Sequence, residues 1–235
     1  MDYSKRDQDF SEFDFCLAVS HEGLILQEIN SKLTFSVNFS DSSIKYRVRS
    51  NRSELLGRAI GIKSHHSKNV IDGTAGFGTD SFILVNLGCC VTLCERNLVI
   101  AEMLSHAIES ARNNYEPWLA ESACRMSLVP NDVRDVSHEI LADADVIYLD
   151  PMFPEKKNNA ASKKEIELLK SLQPKSVLDF EHEDLLEWAL GQKVGRVVLK
   201  RPIRSKTVGK RSPSHQLFGK IIRYDVYQKP DKDFR

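Results

Sequence analysis

Asp150-Pro151-Met152-Phe153-Pro154 combines a carboxylate, two stiff turn formers and an aromatic ring, and it follows directly on the apolar run Val146-Ile147-Tyr148-Leu149. A buried strand that ends in this way sets a hydrogen-bond acceptor and a stacking surface at one edge of a sheet. The carboxylate accepts from an NH2 group, the ring lies on the face of a flat base, and Pro151 and Pro154 restrict the backbone so that both groups are pre-set. Asp-Pro is also a common opener of ordinary turns. The surrounding chain has to decide between a site and a turn.

Three more apolar runs end in polar residues suited to a nucleoside. After Val70-Ile71 comes Asp72-Gly73-Thr74-Ala75-Gly76-Phe77-Gly78-Thr79-Asp80, a glycine-rich turn feeding a helix. Its glycines let backbone approach a ligand closely, and the helix N-terminus supplies free N–H donors. A dinucleotide site favours G-x-G-x-x-G with a small third residue, which Gly76-x-Gly78-x-x-Ser81 meets imperfectly. After Leu93-Cys94 comes Glu95, placed to accept both hydroxyls of a ribose. After the strand expected near Met126–Val129 comes Asp132, within Pro130-Asn131-Asp132-Val133, placed to accept from an adenine amino group. Ligands of open α/β sheets bind at the carboxyl ends of strands, near the point where strand order reverses.

The elements that must position these groups follow from periodicity. Strands are expected at 69–71, 90–94, 126–129, 146–149, 196–200 and 221–227, with helices near 80–87, 98–112, 163–172 and 183–190. That alternation predicts an α/β fold, a doubly wound and mainly parallel sheet covered on both faces. A helix is expected to begin near Ser53, with Leu55, Leu56, Ala59 and Ile60 on its apolar stripe and Gly61 at its end. Before it, from Phe13 to Val48, the pattern favours strands: Leu24-Ile25-Leu26, then Leu33, Phe35, Val37 and Phe39 in alternation, a turn at Ser40-Asp41-Ser42-Ser43, and Ile44, Tyr46 and Val48 in alternation. The division expected is residues 1–52 as an N-terminal extension with a small antiparallel β unit, and 53–235 as the main domain.

Composition narrows the function classes. The 235 residues are 41% hydrophobic and 28% charged, ordinary for a globular protein. No apolar run approaches the roughly 20 residues that span a bilayer, and Met1-Asp2-Tyr3-Ser4-Lys5-Arg6-Asp7 lacks the apolar core of a signal peptide, which implies a cytoplasmic protein without a membrane partner. Cys16, Cys89, Cys90, Cys94 and Cys124 include no CxxC pair and no His at metal spacing, so no metal is expected. On a strand, Cys90 and Cys94 fall on one face among apolar neighbours, as small hydrophobes. Net charge is zero, yet the segment Lys193–Arg223 holds ten Lys or Arg and no Asp or Glu. A neutral chain with one such segment presents a basic face to phosphates.

The spacing Gly73, Gly76, Gly78 resembles the first motif of S-adenosylmethionine-dependent methyltransferases, and Asp-Pro-Met-Phe-Pro resembles the Asp/Asn-Pro-Pro-aromatic signature of amino-group methyltransferases, with Met152 in place of the second proline. Taken with Cys94-Glu95-Arg96-Asn97, Lys156-Lys157, Lys163-Lys164-Glu165 and Val198-Leu199-Lys200-Arg201-Pro202, the chain resembles the RsmJ family, bacterial guanine-N2 methyltransferases of small-subunit (16S) ribosomal RNA. Tyr148-Leu149-Asp150-Pro151-Met152-Phe153-Pro154 matches that family in full, Met included. The resemblance implies a Rossmann-like class I methyltransferase fold, S-adenosyl-L-methionine as cofactor, and 16S ribosomal RNA or the small ribosomal subunit as partner.

By the same resemblance, cofactor contacts fall to the glycine turn Asp72, Gly73, Gly76 and Gly78 with Thr79 and Asp80, to Glu95 and Arg96, to Asp132 and Val133, and to Asp150. Thr79 stands where the family is expected to have Arg. Asp150, Pro151 and Phe153 are the expected catalytic set. Lys156, Lys157, Lys163, Lys164, Lys200, Arg201, Arg204, Lys206, Lys210 and Arg211 are expected to grip RNA phosphates. Two other readings share parts of this pattern: an NAD-dependent oxidoreductase, which has a glycine turn and an acid like Glu95, and a non-catalytic RNA-binding module, which needs only the basic segment.

Overall fold

The computed structural model describes residues 15–20, 23–29, 34–49, 51–62, 67–151 and 181–229. Phe15–Ser20 (β1), Gly23–Glu28 (β2) and Thr34–Ser36 (β3) form a separate three-stranded antiparallel sheet. The strand expected through Ile44, Tyr46 and Val48 is instead a helix, α1 (Ser42–Val48). Asp41 decides this: its side chain accepts from the Ser43 N–H at 2.7 Å and caps the first turn. Positions 44 and 48 suit a period of two or of 3.6 equally well. In the helix Ile44 and Val48 pack on the core, whereas Tyr46 is 76% exposed.

From α2 (Asn51–Ile60) onward the expected alternation is present, with β4 (Asn69–Asp72), α3 (Thr79–Asn86), β5 (Cys90–Cys94), α4 (Leu98–Arg112), α5 (Pro117–Cys124) and β6 (Met126–Val129). A 3-10 turn (Val133–Asp135), α6 (His138–Ala142), β7 (Val146–Leu149), α7 (Glu181–Gly191), β8 (Arg196–Pro202), β9 (His215–Phe218) and β10 (Ile222–Gln228) follow. Helix α4 has the limits its apolar period predicts, and the Asn97 side chain caps it by accepting from Val99 and Ile100 N–H. Helix α5, entered through Pro117, and strand β9 were not anticipated. The helix expected near 163–172 lies outside the described residues.

The strands stand in the order β6-β5-β4-β7-β8-β10-β9, parallel from β6 to β8, with β10 and β9 antiparallel. This is the doubly wound, mainly parallel sheet expected from the sequence. Its two faces are two apolar clusters, and alternate residues of each strand supply them: Val146 and Tyr148 of β7 to one, Ile147 and Leu149 to the other. Phe39, 1% exposed, stacks on Phe82 of α3 with ring centroids 4.6 Å apart. Cys94 is buried as expected, whereas Cys90, at the start of β5, is exposed. Among the described residues no group of three His, Cys, Asp or Glu is placed to hold a metal ion, and no helix is long and apolar enough to cross a membrane.

Candidate active site

Strand order reverses between β4 and β7, because the chain first builds outward from β4 to β5 and β6, then returns to the other side of β4. The glycine turn after β4 and Asp150 after β7 are therefore neighbours at the crevice. Hydrogen bonds join them directly. Gly73 N–H donates to the Tyr148 carbonyl at 2.9 Å, and Asp150 N–H donates to Thr74 Oγ1 at 2.6 Å. Gly78 has φ of 72°, and a Cβ there would lie 2.7 Å from Leu104 Cδ1 and 3.2 Å from Phe39 Cζ. Only glycine serves at that position.

Asp72 lies beneath the turn rather than on its surface. It is 2% exposed, and its carboxyl accepts from Thr74 N–H at 3.1 Å and from Ser81 Oγ–H at 2.6 Å. Burial pushes its pKa up to about 7 against those two donors, with Asp80 and Asp150 adding repulsion. The native state thus holds a proton that the unfolded chain releases near pH 4. Its contribution to stability is full below that point and is lost as pH rises through about 7. Asp72→Asn should match the wild type in urea denaturation near pH 4 and exceed it near pH 8, at a rate approaching about 1.4 kcal/mol per pH unit between. Parallel stability curves for the two proteins would show that Asp72 is not the titrating group.

Glu95, 7% exposed, accepts from Gly76 N–H through Oε2 and from Asn97 N–H through Oε1, each at 2.8 Å. Burial raises its pKa, while those N–H donors and Arg96 oppose the rise. A carboxylate has about four lone-pair positions; the N–H groups of Gly76, Asn97 and Arg96 take up part of that capacity, and what remains suits a ribose hydroxyl. Gly76, φ 52°, has open space where a side chain would stand, its nearest neighbour being the Thr74 carbonyl oxygen at 4.0 Å. These features fit the ribose and the adjoining chain of S-adenosylmethionine. Thr79 opens α3 beside them.

After β6, Asp132 is gripped by a residue not singled out from the sequence. Arg134 donates to its two carboxylate oxygens at 2.8 and 2.7 Å, and Arg96 stands 3.9 Å away. Arg134 holds the Asp132 carboxyl below the usual aspartate range. Val133 is buried, its side chain set against Gly73.

At the end of β7 the site contains a cation, Lys200, that the sequence assigns to the RNA phosphates. Lys200 Nζ lies 2.7 Å from Asp150 Oδ2 and 2.8 Å from Asp80 Oδ2, and the buried Tyr148 hydroxyl donates to the same Asp80 oxygen at 2.6 Å. Burial acts to lower the Lys200 pKa, but the charges of Asp150 and Asp80 hold it well above the ordinary lysine value. Burial likewise acts to raise Asp80, and Lys200 with Tyr148 holds it low.

Lys200 is thus engaged with two site carboxylates rather than directed at RNA phosphates. Arg201, its neighbour on β8, also departs from the phosphate-gripping expectation. It is 7% exposed and braces the next turn through Ser205 Oγ at 3.1 Å and the Lys206 carbonyl at 2.8 Å. Arg204, Lys206, Lys210 and Arg211 are exposed on the connection from β8 to β9. Pro151 is buried next to Asp150. Phe153, Lys156, Lys157, Lys163 and Lys164 lie outside the described residues. Ser81, Thr74 and Tyr148 belong to motifs quoted from the sequence, which assign them no role at the site. The available signal was alternation, since Tyr148 shares a face of β7 with Asp150, as Lys200 does with Val198 on β8.

A glycine turn after the first parallel strand, a buried acid after the second and an Asp-Pro step after the fourth, gathered at one switch point, are the arrangement of an S-adenosylmethionine-dependent methyltransferase. Residues 6–229 match the family model described as "Putative SAM-dependent methyltransferase". The chain is 42% identical over 195 residues to "Ribosomal RNA small subunit methyltransferase J" of Thioalkalivibrio sulfidiphilus, covering 81% of this chain and 74% of that one. The protein of the same name from Colwellia psychrerythraea is 35% identical over 223 residues, 93% of this chain and 79% of its own. The crystal structure of a SAM-dependent methyltransferase from Neisseria gonorrhoeae superposes with a TM-score of 0.72 at 29% identity, covering 92% of this chain and 84% of that one. The chain belongs to the ribosomal RNA small subunit methyltransferase J family of SAM-dependent methyltransferases.

Proposed function

We propose that this protein transfers a methyl group from S-adenosylmethionine to the exocyclic N2 amine of a guanosine in small-subunit (16S) ribosomal RNA, in the cytoplasm. The observation that supports it most directly is the 2.6 Å bond from Asp150 N–H to Thr74 Oγ1, which holds the Asp-Pro step against the glycine turn. In this reading residues 53–235 are the methyltransferase domain and 1–52 an extension of it. The turn 72–80, Glu95, Arg96, Asp132, Val133 and Asp150 hold the cofactor, Glu95 by its remaining lone pairs to the ribose.

When bound, the cofactor supplies an electrophilic methyl group, so the protein's own task is alignment and preparation of the nucleophile. The lone pair of an exocyclic guanine amine is delocalised into the ring. Asp150 and the Pro151 carbonyl accept its two N–H bonds, which lets the nitrogen pyramidalise and aim a localised lone pair. Phe153 supplies the stacking face, a contact worth about 1–3 kcal/mol. The base reaches the site unstacked or from a single-stranded loop. Incubation with labelled methyl donor and unmodified small-subunit particles, followed by nucleoside mapping, should yield N2-methylguanosine. Label on another nucleoside would overturn this choice of acceptor.

Arg204, Lys206, Lys210 and Arg211, together with Lys156, Lys157, Lys163 and Lys164, are proposed to grip the phosphates without reading sequence. Neutralising about four to six phosphates predicts a slope of roughly −3 to −5 in log affinity against log salt concentration. Binding of the particles that is insensitive to salt would remove this set from the interface.

A further inference from the structure

We propose that Lys200 is the positioning residue of the methyl-transfer site, tying the Asp150 carboxylate to a rigid anchor made by Asp80. The proposal rests on the reading of Asp150 as the group that accepts from the substrate amine. Asp150 stands just past the end of β7. Leu149 pairs with Leu199 in the parallel register of β7 on β8, so Lys200 stands beside Asp150 on the neighbouring strand. The Lys200 side chain is 21% exposed, and its ammonium meets one oxygen of each carboxylate at 2.7 and 2.8 Å.

The Asp80 end of this bridge is the fixed one. Asp80 sits in the first turn of α3, where the helix dipole favours an anion, and it accepts at 2.6 Å from a tyrosine whose ring lies wholly inside the core. Rigidity therefore passes from α3 and β7 through Asp80 and Lys200 to Asp150. A reacting group has to be held within about 0.5 Å of its productive place, and the Lys200 ammonium supplies such a hold on the Asp150 carboxylate. Among the described residues, Asp80 on α3, Asp150 after β7 and Tyr224 on β10 act on Lys200, and Tyr148 on β7 and Arg47 on α1 act on Asp80 beside it. The Lys200 ammonium is the counter-charge to Asp80 and Asp150.

The test uses the full chain with small-subunit particles and compares Lys200→Met, which keeps the stem and loses the charge, with Lys200→Arg. Lys200→Met should lower kcat about 10–100-fold, the usual cost of removing a group that orients a reactive one, with S-adenosylhomocysteine Kd and particle KM each within about threefold of wild type. The acid limb of its kcat profile should move to higher pH. Lys200→Arg should fall between the two, since it keeps the charge while its wider fork misplaces it.

A readout that needs no turnover accompanies these. In protein labelled with 13C at aspartate carboxyls, the Asp80 resonance should titrate at higher pH in Lys200→Met than in wild type. Unchanged kcat in Lys200→Met, or a loss confined to particle KM as a phosphate contact would give, overturns the proposal. Should Lys200→Met fail to fold, Lys200→Arg decides, and wild-type kcat with an unshifted pH profile overturns it. If the wild type places no methyl on guanine N2 while the Asp80 titration still shifts, the substrate reading fails and the bridge stands.

Discussion

Asp150→Ala should transfer methyl at least ~100-fold more slowly than wild type, the size expected when a positioned catalytic group is removed, while binding S-adenosylhomocysteine with at most a moderate loss. The backbone of the site survives the change, because Asp150 N–H to Thr74 Oγ1 and Gly73 N–H to the Tyr148 carbonyl do not involve the deleted carboxylate. Lys200 keeps Asp80 as a partner at 2.8 Å, so no unpaired cation is left behind. The loss should therefore appear in kcat. Single-turnover transfer to small-subunit particles, set beside a binding isotherm for S-adenosylhomocysteine, separates chemistry from affinity. Near-normal turnover in this variant would remove Asp150 from the mechanism.

Arg223→Ala should cost about 3–5 kcal/mol of stability, the range for leaving one member of a buried ion pair uncompensated. Arg223 is 4% exposed and Asp225 fully buried, and the guanidinium meets the two carboxylate oxygens at 2.8 and 3.1 Å. Its third nitrogen donates to the carbonyls of Pro202, Ile203 and Ser205 at 3.3, 3.1 and 2.7 Å. One side chain thus closes both a charge pair in the sheet and the turn leading into the exposed basic connection. Among the described residues Asp225 would retain the hydrogen bond from the Gln216 amide, at 2.7 Å, and the nearby charge of Arg201. Urea denaturation at neutral pH measures the cost, and a difference below about 1 kcal/mol would mean that water or another side chain replaces the guanidinium. If Arg204 and Lys206 grip RNA as proposed, particle affinity should also fall, since the turn that carries them loses its brace.

The legible parts of this chain were those whose signal is local and repeated. Helix α4 has a long apolar period and an Asn cap, and both of its ends follow from that. Strands β4, β5, β6 and β7 are short apolar runs closed by polar residues, and they too could be placed. Ile44, Tyr46 and Val48 misled because three positions do not separate a period of two from one of 3.6, and the cap at Asp41 outweighed the alternation. Helix α5 and strand β9 were missed although α3 and β4 are no longer than they are, because β9 opens on two polar residues, His215 and Gln216, and α5 buries only Leu119 and Ala123 of its apolar residues.

The same division holds at the site. Glycines at 73, 76 and 78, the acid at 95 and the Asp-Pro step at 150 announce themselves by type and spacing. Lys200 and Arg201 read as two more members of a basic run. The structure sends them to opposite faces of β8, one to the Asp80 and Asp150 carboxylates and the other to brace the Ser205 turn.

Residue types and their order determined, with no coordinates, that strands and helices alternate, that a glycine turn opens a helix after Asp72, and that a carboxylate and a proline follow Leu149. Those features depend on backbone conformation and on neighbours a few positions away. Tertiary structure alone decided that Lys200, fifty positions along the chain, is the partner of Asp150. The partnership exists because β7 and β8 pair in one register, and the energetics of an isolated segment contain nothing about the strand that will lie beside it.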